Sequence, residues 1–389
     1  MKVVQINSVC GIGSTGGITI QLSRAMTENG IENYILYTYN KYDYPLGIRY
    51  SNKLIIKLNA GLSRVYGNYG FNSKSPTKRL IKHLERIKPD IVHIHNIHSH
   101  DLHLAMLFKY LKKTGVRVIF TLHDCWLITG YCVHFDNIGC DKWLKQCNNC
   151  PQRNAYSWFF DKSHKLYNRK KELFTALDDV TIVSPSRWLA EITKKSFLGK
   201  FPVKTIYNGI DLDVFKPSES DFREKHGLQD KKIVLGIPKG RLNGFIKLSE
   251  ILDDEYRLVL VGLKHKELQK LPENVIGLGH QTHSELAKVF TASDVYVNTT
   301  LEDTFPTVNL ESLACGTPVV TFNTGGSPEA IDEATGIAVK KGDIEAINEA
   351  IKEICNGSAR TNACIARANR LYNKHDRFKE YIDLYNRRD

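Results

Sequence analysis

No apolar run in this 389-residue chain approaches the roughly 18 residues that a membrane-spanning helix requires. Low-complexity tracts are missing too. The first residues pass from Met1-Lys2 straight into the strand-like VVQINSV, so no export signal is expected. A secreted disulfide framework is not expected either, because nine cysteines make an odd count and suit reduced thiols in a cytoplasmic chain. Acid is in short supply: 42 Asp and Glu face 54 Lys and Arg, for a net charge of +12. Such a balance suits an anionic partner, whether nucleic acid, a phosphate-bearing substrate or an acidic membrane face. No RNP, KH or zinc-finger pattern accompanies the charge, so nucleic acid is set aside.

What is present is a repeated alternation. Strands are predicted at 2–8, 34–39, 91–95, 116–122 and 180–183, then, after a linker, at 204–207, 232–236, 257–261, 274–278, 295–298 and 318–321. Most are rich in Val and Ile without polar alternation, as parallel strands covered on both faces should be. Helical patterns at 17–29, 77–87, 101–114, 189–197 and 285–291 lie between them. The length and the alternation predict two doubly wound α/β domains, divided between Ser186 and Pro217, with a basic helical segment at the C-terminus.

The loop after the first strand reads CGIGSTGGI, and Gly11, Gly13 and Gly16 have the G-x-G-x-x-G spacing. A dinucleotide site also needs an acid at the end of the second strand, and NYILYTYN ends at Asn40 without one. No Gly-Lys-Ser/Thr follows for a P-loop. The spacing therefore reads as incidental, although a loop between a strand and a helix start suits an anion.

The densest chemistry lies in NTTLEDTFPTVNLESLACGTPVVTFNTGGSPEAI. Pro306 suits the first turn of a helix, Gly316 suits its C-terminal cap, and Pro318 prevents continuation. Amides at Thr307, Val308 and Asn309 would point at a phosphate, and Glu311 lies one turn further in. A second glycine turn, Gly325-Gly326, would let a ligand approach the backbone.

Asp303-x7-Glu311, ESLACGTPVV and TGGSPEA resemble the E-x7-E region of retaining glycosyltransferases of family 4, which have the GT-B fold. KPDIVHIHN, FTLHD, VSPSRWLAE and IYNGIDLDVFKP extend the likeness over most of the chain, in family order, toward the transferases of colanic-acid and O-antigen type. The resemblance implies two Rossmann-like domains facing across a cleft: an acceptor domain at 1–200, a nucleotide-sugar domain at 201–370, and a helix at 371–389 crossing back. It implies a UDP- or GDP-sugar donor, a growing, lipid-linked glycan as acceptor, and a cytoplasmic enzyme peripheral on the inner membrane face.

Carried over by position, Glu311 would hold the ribose, Asp303 the donor sugar, and His123 would lie over the reacting carbon. Phe305, Pro306, Thr307, Val308, Gly325 and Gly326 would complete the donor site, with Gly16 and Gly17 from the first domain. Neither carboxylate is assigned as a covalent nucleophile, and no divalent metal is required, since the protein supplies positive charge. The family places an Arg and a Lys-Gly after the first strand of the second domain. That stretch is shortened in KKIVLGIPKGRLNGFIKL, leaving Lys239 and Arg241 as the nearest cations. The alternative reading, a non-catalytic donor- or glycan-binding homologue, rests on this departure.

Three clusters remain. Cys132, Cys140, Cys147 and Cys150 have x7, x6 and x2 spacings that suit a structural zinc ion, against buried thiols or a labile disulfide. In HIHNIHSHDLH, His95 and Asn96 are expected to line the acceptor pocket. Tyr156, Trp158, Phe159 and Phe160 precede a basic helix, a pattern that fits either core packing or an anionic membrane surface.

Overall fold

Strands without a polar face must be covered on both sides, and the chain meets that demand twice. In the computed structural model, which describes residues 1–40, 43–238 and 241–387, two compact units form. One is Met1–Ile206 with the stretch from Phe378 onward; the other is Tyr207–Arg377.

The first unit contains β1 (Lys2–Ile6), β2 (Val9–Cys10), β3 (Glu32–Tyr37), β4 (Tyr39–Asn40), β5 (Gly47–Arg49), β6 (Ile91–Ile94), β7 (Arg117–Thr121), β8 (Val180–Ser184) and β9 (Val203–Thr205). Seven of them form a sheet in the order β5-β3-β1-β6-β7-β8-β9, while β2 and β4 pair separately. The second unit contains β10 (Lys232–Gly236), β11 (Tyr256–Leu260), β12 (Val275–Gly277), β13 (Val295–Asn298), β14 (Val319–Phe322) and β15 (Gly336–Val339), in the order β12-β11-β10-β13-β14-β15. All pairings are parallel. Numbered from its own first strand, the second sheet runs 3-2-1-4-5-6, and its order reverses between β10 and β13. The first sheet reverses between β1 and β6. Ligands of such sheets bind beyond the carboxyl ends of the strands at the reversal.

The units divide a few residues later than the sequence reading placed the cut. Val203–Thr205 pairs with β8 and so completes the first sheet instead of opening the second. Residues 371–377 likewise stay with the second unit, where the Tyr372 ring is buried and Ile210 bridges Asn373. The C-terminal pattern is two helices, Thr361–Tyr372 and Lys374–Asn386, broken at Asn373. From Phe378 the last helix belongs to the first unit: Phe378, Tyr381, Ile382 and Tyr385 are buried there with Val3, Ile91, Ile119 and Val183.

The short strands β2, β5 and β15 were not predicted, nor were the helices α2 (Lys53–Tyr66), Leu242–Ile251 and Ile344–Asn356. The strands are only two to four residues long, too short for a periodic signal. Helix α2 turns Asn59 and Ser63 inward and leucines outward, the reverse of the pattern that identifies a helix packed on a core.

The buried polar anchor of the last helix is the Tyr385 hydroxyl, 2.7 Å from His93 Nδ1, while His93 Nε2 lies 2.7 Å from Thr121 Oγ1. Tyr385→Phe leaves a buried imidazole nitrogen unpaired and is expected to destabilise the first unit by about 1–3 kcal/mol, measured by denaturant unfolding. An unchanged midpoint would remove this role.

Candidate functional site

In the second unit the carboxyl ends of β10 and β13 carry the loops of the acidic motif. A notch of about 160 Å³ at the reversal is lined by Pro238, Arg241, Asn298, Thr300, Glu302 and Asp303, with Tyr296 and Val308 beside them. That volume suits one portion of a ligand, since whole drug-sized ligands fill several hundred Å³. A larger hollow of about 790 Å³ lies at the amino ends of strands in the first unit, beside Asp90, Arg117 and Asp179. It is at the wrong end of the sheet for the loops that bind ligands in these folds.

The helix that begins beyond Pro306 spans Thr307–Ala314, and Gly316 follows it at φ 86°. Pro306 at the N-cap has no side-chain acceptor, which leaves the first amides, at Thr307 and Val308, to an incoming anion. The Asn309 amide is already committed, donating to the Pro306 carbonyl at 3.2 Å. The Asn309 side chain is a buried fastener: its Oδ1 accepts from Asn298 Nδ2 at 2.8 Å, and its Nδ2 donates to the Ser327 carbonyl at 3.4 Å. Strand, helix and glycine turn are thereby tied at one point.

Asp303 Oδ1 accepts from the Phe305 amide at 3.0 Å, which orders the acidic loop. Glu311 is half-buried one turn into the helix. Burial, then Glu311, then Asp303 push the Tyr296 phenol beside the notch well above its usual range. Arg241 is exposed at the start of the helix Leu242–Ile251 and reaches Thr300 Oγ1 at 3.1 Å; Thr300 in turn donates to the Glu302 carbonyl at 3.1 Å. Lys239 lies outside the described residues.

Two expectations for this unit change. Phe305 is 3% exposed, with its ring on Tyr207 at 5.1 Å and Tyr372 at 5.9 Å, so its side chain packs the core and does not face a donor. Its carbonyl accepts from Asn208 Nδ2 at 3.3 Å. The glycine turn serves the chain itself: a Cβ on Gly325, which has φ 54°, would sit 1.8 Å from the Asp303 carbonyl oxygen. The Gly326 amide donates to that same oxygen at 3.2 Å. Gly325 thereby lets the acidic loop approach the backbone of the turn.

In the first unit, the helix α1 (Gly13–Glu28) starts three residues before Gly16. Gly11 and Gly13 hold φ of 68° and 63°, which only glycine adopts without strain. Gly16 is buried with its would-be Cβ 3.0 Å from the Gly11 amide nitrogen, and its carbonyl accepts from that amide at 3.1 Å. The G-x-G-x-x-G spacing is therefore structural rather than incidental: two glycines make the turn and the third lets the helix pack against it. Gly16 is spent on that contact, whereas Gly17 borders open space.

His95 and Asn96 line only a hollow of about 10 Å³, shared with His98, His123 and Asp124 and too small for a sugar acceptor. His95 is 2% exposed, with Nε2 3.1 Å from Gln5 Oε1 and Nδ1 3.1 Å from His123 Nε2. Gln5 Nε2 donates to the Thr19 carbonyl of α1 at 3.0 Å, which turns Oε1 toward His95. A neutral His95 must then donate through Nε2 and accept at Nδ1 from His123 Nε2–H, leaving His123 Nδ1 as an acceptor. Burial, with Asp124 opposing and His98 adding, lowers His123 to about 4, so it is neutral at pH 7. His95 is lowered well below its usual value by burial, His93 and His123. Asn96 is half-buried, with its carbonyl bonded to the Ser8 amide at 2.9 Å and hydroxyl at 2.8 Å.

A pair that the sequence reading did not single out stands beside this relay. His98 Nε2 lies 2.7 Å from Asp124 Oδ2, and Asp124 Oδ1 accepts from the Trp126 amide at 2.8 Å. Burial opposes the charged His98, but the Asp124 carboxylate outweighs it and raises His98, while Asp124 itself is lowered. The adjacency of Asp124 to His123 was the available signal.

The four cysteines do not fit a zinc ion. Tetrahedral thiolates at about 2.3 Å from zinc require sulfurs within about 3.8 Å of one another. Cys132 and Cys150 approach at 3.9 Å, but among the described residues no three ligating side chains converge. Packing orders the loop instead: Phe135 stacks on Trp143 at 5.0 Å, and buried Lys170 donates to the Trp126 carbonyl at 2.6 Å with its ammonium over the indole. The aromatic cluster divides, Tyr156 packing half-buried on Tyr131 at 5.9 Å while Trp158, Phe159 and Phe160 stay exposed.

Two reversed parallel sheets with these loops have the architecture of the GT-B fold, and comparison with known proteins gives the class, a glycosyltransferase. Residues 18–214 match the model "Glycosyltransferase Family 4" and residues 220–371 the model "Glycosyl transferases group 1". The first match alone takes in half of the chain, and the chain belongs to this family. Over 99% of both chains it is 24% identical to WcaC of Escherichia coli (strain K12), a protein assigned as a colanic acid biosynthesis glycosyl transferase. It is also 24% identical to the N-acetyl-alpha-D-glucosaminyl L-malate synthase of Bacillus anthracis, over 85% of this chain and 82% of that one. Among solved structures, the fold is shared with a sucrose-phosphate synthase of Thermosynechococcus elongatus (TM-score 0.71, 17% identity, 99% and 98% covered). It is shared equally with Anabaena HepE in complex with UDP (TM-score 0.69, 16% identity, 99% of both).

Gly325→Ala is expected to destabilise the second unit by at least about 1–3 kcal/mol from the left-handed backbone alone, with the clash on Asp303 added, as read by denaturant unfolding. The histidines set a pH dependence. Unfolded, His123 takes up a proton near pH ~6.5; folded, it does so only near about 4. The unfolded chain thus binds more protons between these values, and stability falls as pH drops through that window. His123→Gln should reduce the slope of unfolding free energy against pH there by up to about one proton; an unchanged slope would contradict the assignment.

Proposed function

We propose that the chain moves a sugar, with retention at the anomeric carbon, from a UDP- or GDP-sugar to a growing, lipid-linked bacterial surface glycan on the cytoplasmic face of the inner membrane. The observation that carries this reading is the grouping at the β10/β13 reversal of Arg241, Asp303, Glu311 and the Thr307 helix start. The likeness to a protein of colanic acid biosynthesis supports the glycan class, and the complexes of HepE with UDP and UDP-glucose support the donor class.

In this reading, the bond from the sugar C1 to the diphosphate breaks and its electron pair leaves with the nucleoside diphosphate, while an acceptor hydroxyl oxygen bonds to C1 on the same face and its proton passes to the departing diphosphate oxygen. The Thr307 and Val308 amides and the Arg241 guanidinium stabilise that growing charge, and Lys239 is assigned the same task. Glu311 takes ribose hydroxyls and Asp303 the donor sugar. The acceptor falls to the first unit, where neutral His123 is assigned to orient donor and acceptor at the reacting carbon. His95 acts through His123 and is a positioning residue. No covalent glycosyl-enzyme is assigned to either carboxylate.

Incubation with a panel of UDP- and GDP-sugars and a membrane lipid fraction is expected to release nucleoside diphosphate from one donor. Glu311→Ala should abolish release, and Arg241→Ala should weaken donor binding by about 10- to 100-fold, the equivalent of a lost hydrogen bond to a charged group. Donor binding without release under every acceptor would favour a binding homologue instead. Release unaffected by Glu311→Ala would overturn the site assignment.

A further inference from the structure

Helix α2 is inside out. Its buried positions are Ile56, Asn59 and Ser63, and Ser63 Oγ accepts from Asn72 Nδ2 at 2.9 Å. Its outward row, at spacings of four, is Leu54, Leu58 and Leu62, of which Leu54 is 77% and Leu58 64% exposed. Tyr66 continues the row. A helix packed on its own core places leucine inward and asparagine outward, so this outer face is built for a contact that the chain does not itself provide.

The row is continuous with the exposed aromatic loop. The Trp158 amide donates to the Arg64 carbonyl at 2.8 Å, and the Tyr131 hydroxyl donates to the Gly67 carbonyl at 3.1 Å while accepting from the Lys162 amide at 2.9 Å. A Cβ on Gly67 would come within 3.0 Å of the Phe160 carbonyl, so the loop lies directly against the end of α2. From that loop Trp158 and Phe159 project with more than half of their surface exposed. These contacts make one ordered apolar surface within the first unit.

Charge selects what covers it. Helix α2 contains Lys53, Lys57 and Arg64, all exposed, and neither Asp nor Glu. Residues 44–84 as a whole hold eight Lys or Arg and no acid. Beside the aromatics, Lys162 stands 5.5 Å over the Phe160 ring and Arg153 donates to the Phe159 carbonyl at 3.3 Å. The nearest acid in sequence, Asp161, is turned onto the chain, accepting from the Cys150 and Ser163 amides at 2.6 and 2.8 Å. A second copy of the same face would oppose cation to cation. Leucine and aromatic side chains ringed by Lys and Arg match instead the boundary of an anionic bilayer, where apolar groups enter the acyl region and ammonium groups meet phosphate.

We propose that the outer face of α2 and the Trp158–Phe160 loop dock the first unit on an anionic lipid surface, as a peripheral contact without a spanning helix. Among the described residues no helix is long and apolar enough to cross a membrane. The proposal rests on the reading of a transferase at the inner membrane face and names the surface that would hold it there; its test needs no turnover, so its failure and the failure of that reading are distinguishable.

The purified chain is to be sedimented with vesicles of phosphatidylcholine alone and with about one-third phosphatidylglycerol. Binding is expected to the anionic vesicles, to weaken in about 0.5 M salt, and to blue-shift tryptophan emission. Leu54→Ser with Leu58→Ser, and separately Trp158→Ala with Phe159→Ala, should each reduce vesicle binding by about ten-fold or more. Because these side chains are exposed, the variants should keep the parent's circular dichroism and thermal midpoint, which separates lost docking from lost folding. Equal binding to neutral vesicles, no binding to anionic ones, or folded variants that bind as the parent does would each overturn the proposal. So would self-association that the same substitutions abolish, which would make the face a dimer interface.

Discussion

Reversal of strand order between β1 and β6, and again between β10 and β13, is the constraint on which both candidate sites depend. Right-handed crossovers place successive strands to one side of the first strand and then to the other, so the loops part at the reversal and leave a crevice at the carboxyl ends. In the second unit that crevice receives Pro238, Arg241, the acidic loop and the Thr307 helix start. In the first it receives the glycine turn and the histidine relay. Neither site could be moved to the other end of its sheet without losing the helix N-termini.

Buried polar contacts then hold these loops in place. Asn309 joins Asn298 to Ser327, and the Gly325-Gly326 turn clasps the Asp303 carbonyl. Gln5, fixed by Thr19, sets the tautomer of His95 and through it that of His123. Each is a long-range pairing of groups that would be costly to bury alone. The fastening residues are thus as specific to the site as the groups they aim, and the same desolvation keeps His123 neutral.

Much of the fold was legible because its signals are local. Unbroken Val and Ile runs located eleven of the strands to within a few residues, and Pro306 and Gly316 bounded the helix that bears Glu311. Glu311 and Asp303 could be found for the same reason: a fixed spacing on a helix and its preceding loop survives without knowledge of the rest. Helix α2 escaped because periodicity identifies a helix by an apolar inner face, and here the apolar face is the outer one. Phe305 and Gly325 could be named as parts of the motif, but not given their packing roles, since Tyr207, Tyr372 and the Asp303 carbonyl reach them through the fold. The cysteine spacing suggested a metal that the converged geometry does not support.

By itself the sequence determined the class of fold, the two α/β halves, the acidic helix and the positive charge. All of these follow from sterics and periodicity within a few residues. Tertiary structure alone decided which polar groups are buried together, that the G-x-G-x-x-G turn is structural, that His95 positions His123, and that α2 presents leucine outward. Desolvation and close packing are set by neighbours from distant parts of the chain, and a linear pattern does not name those neighbours.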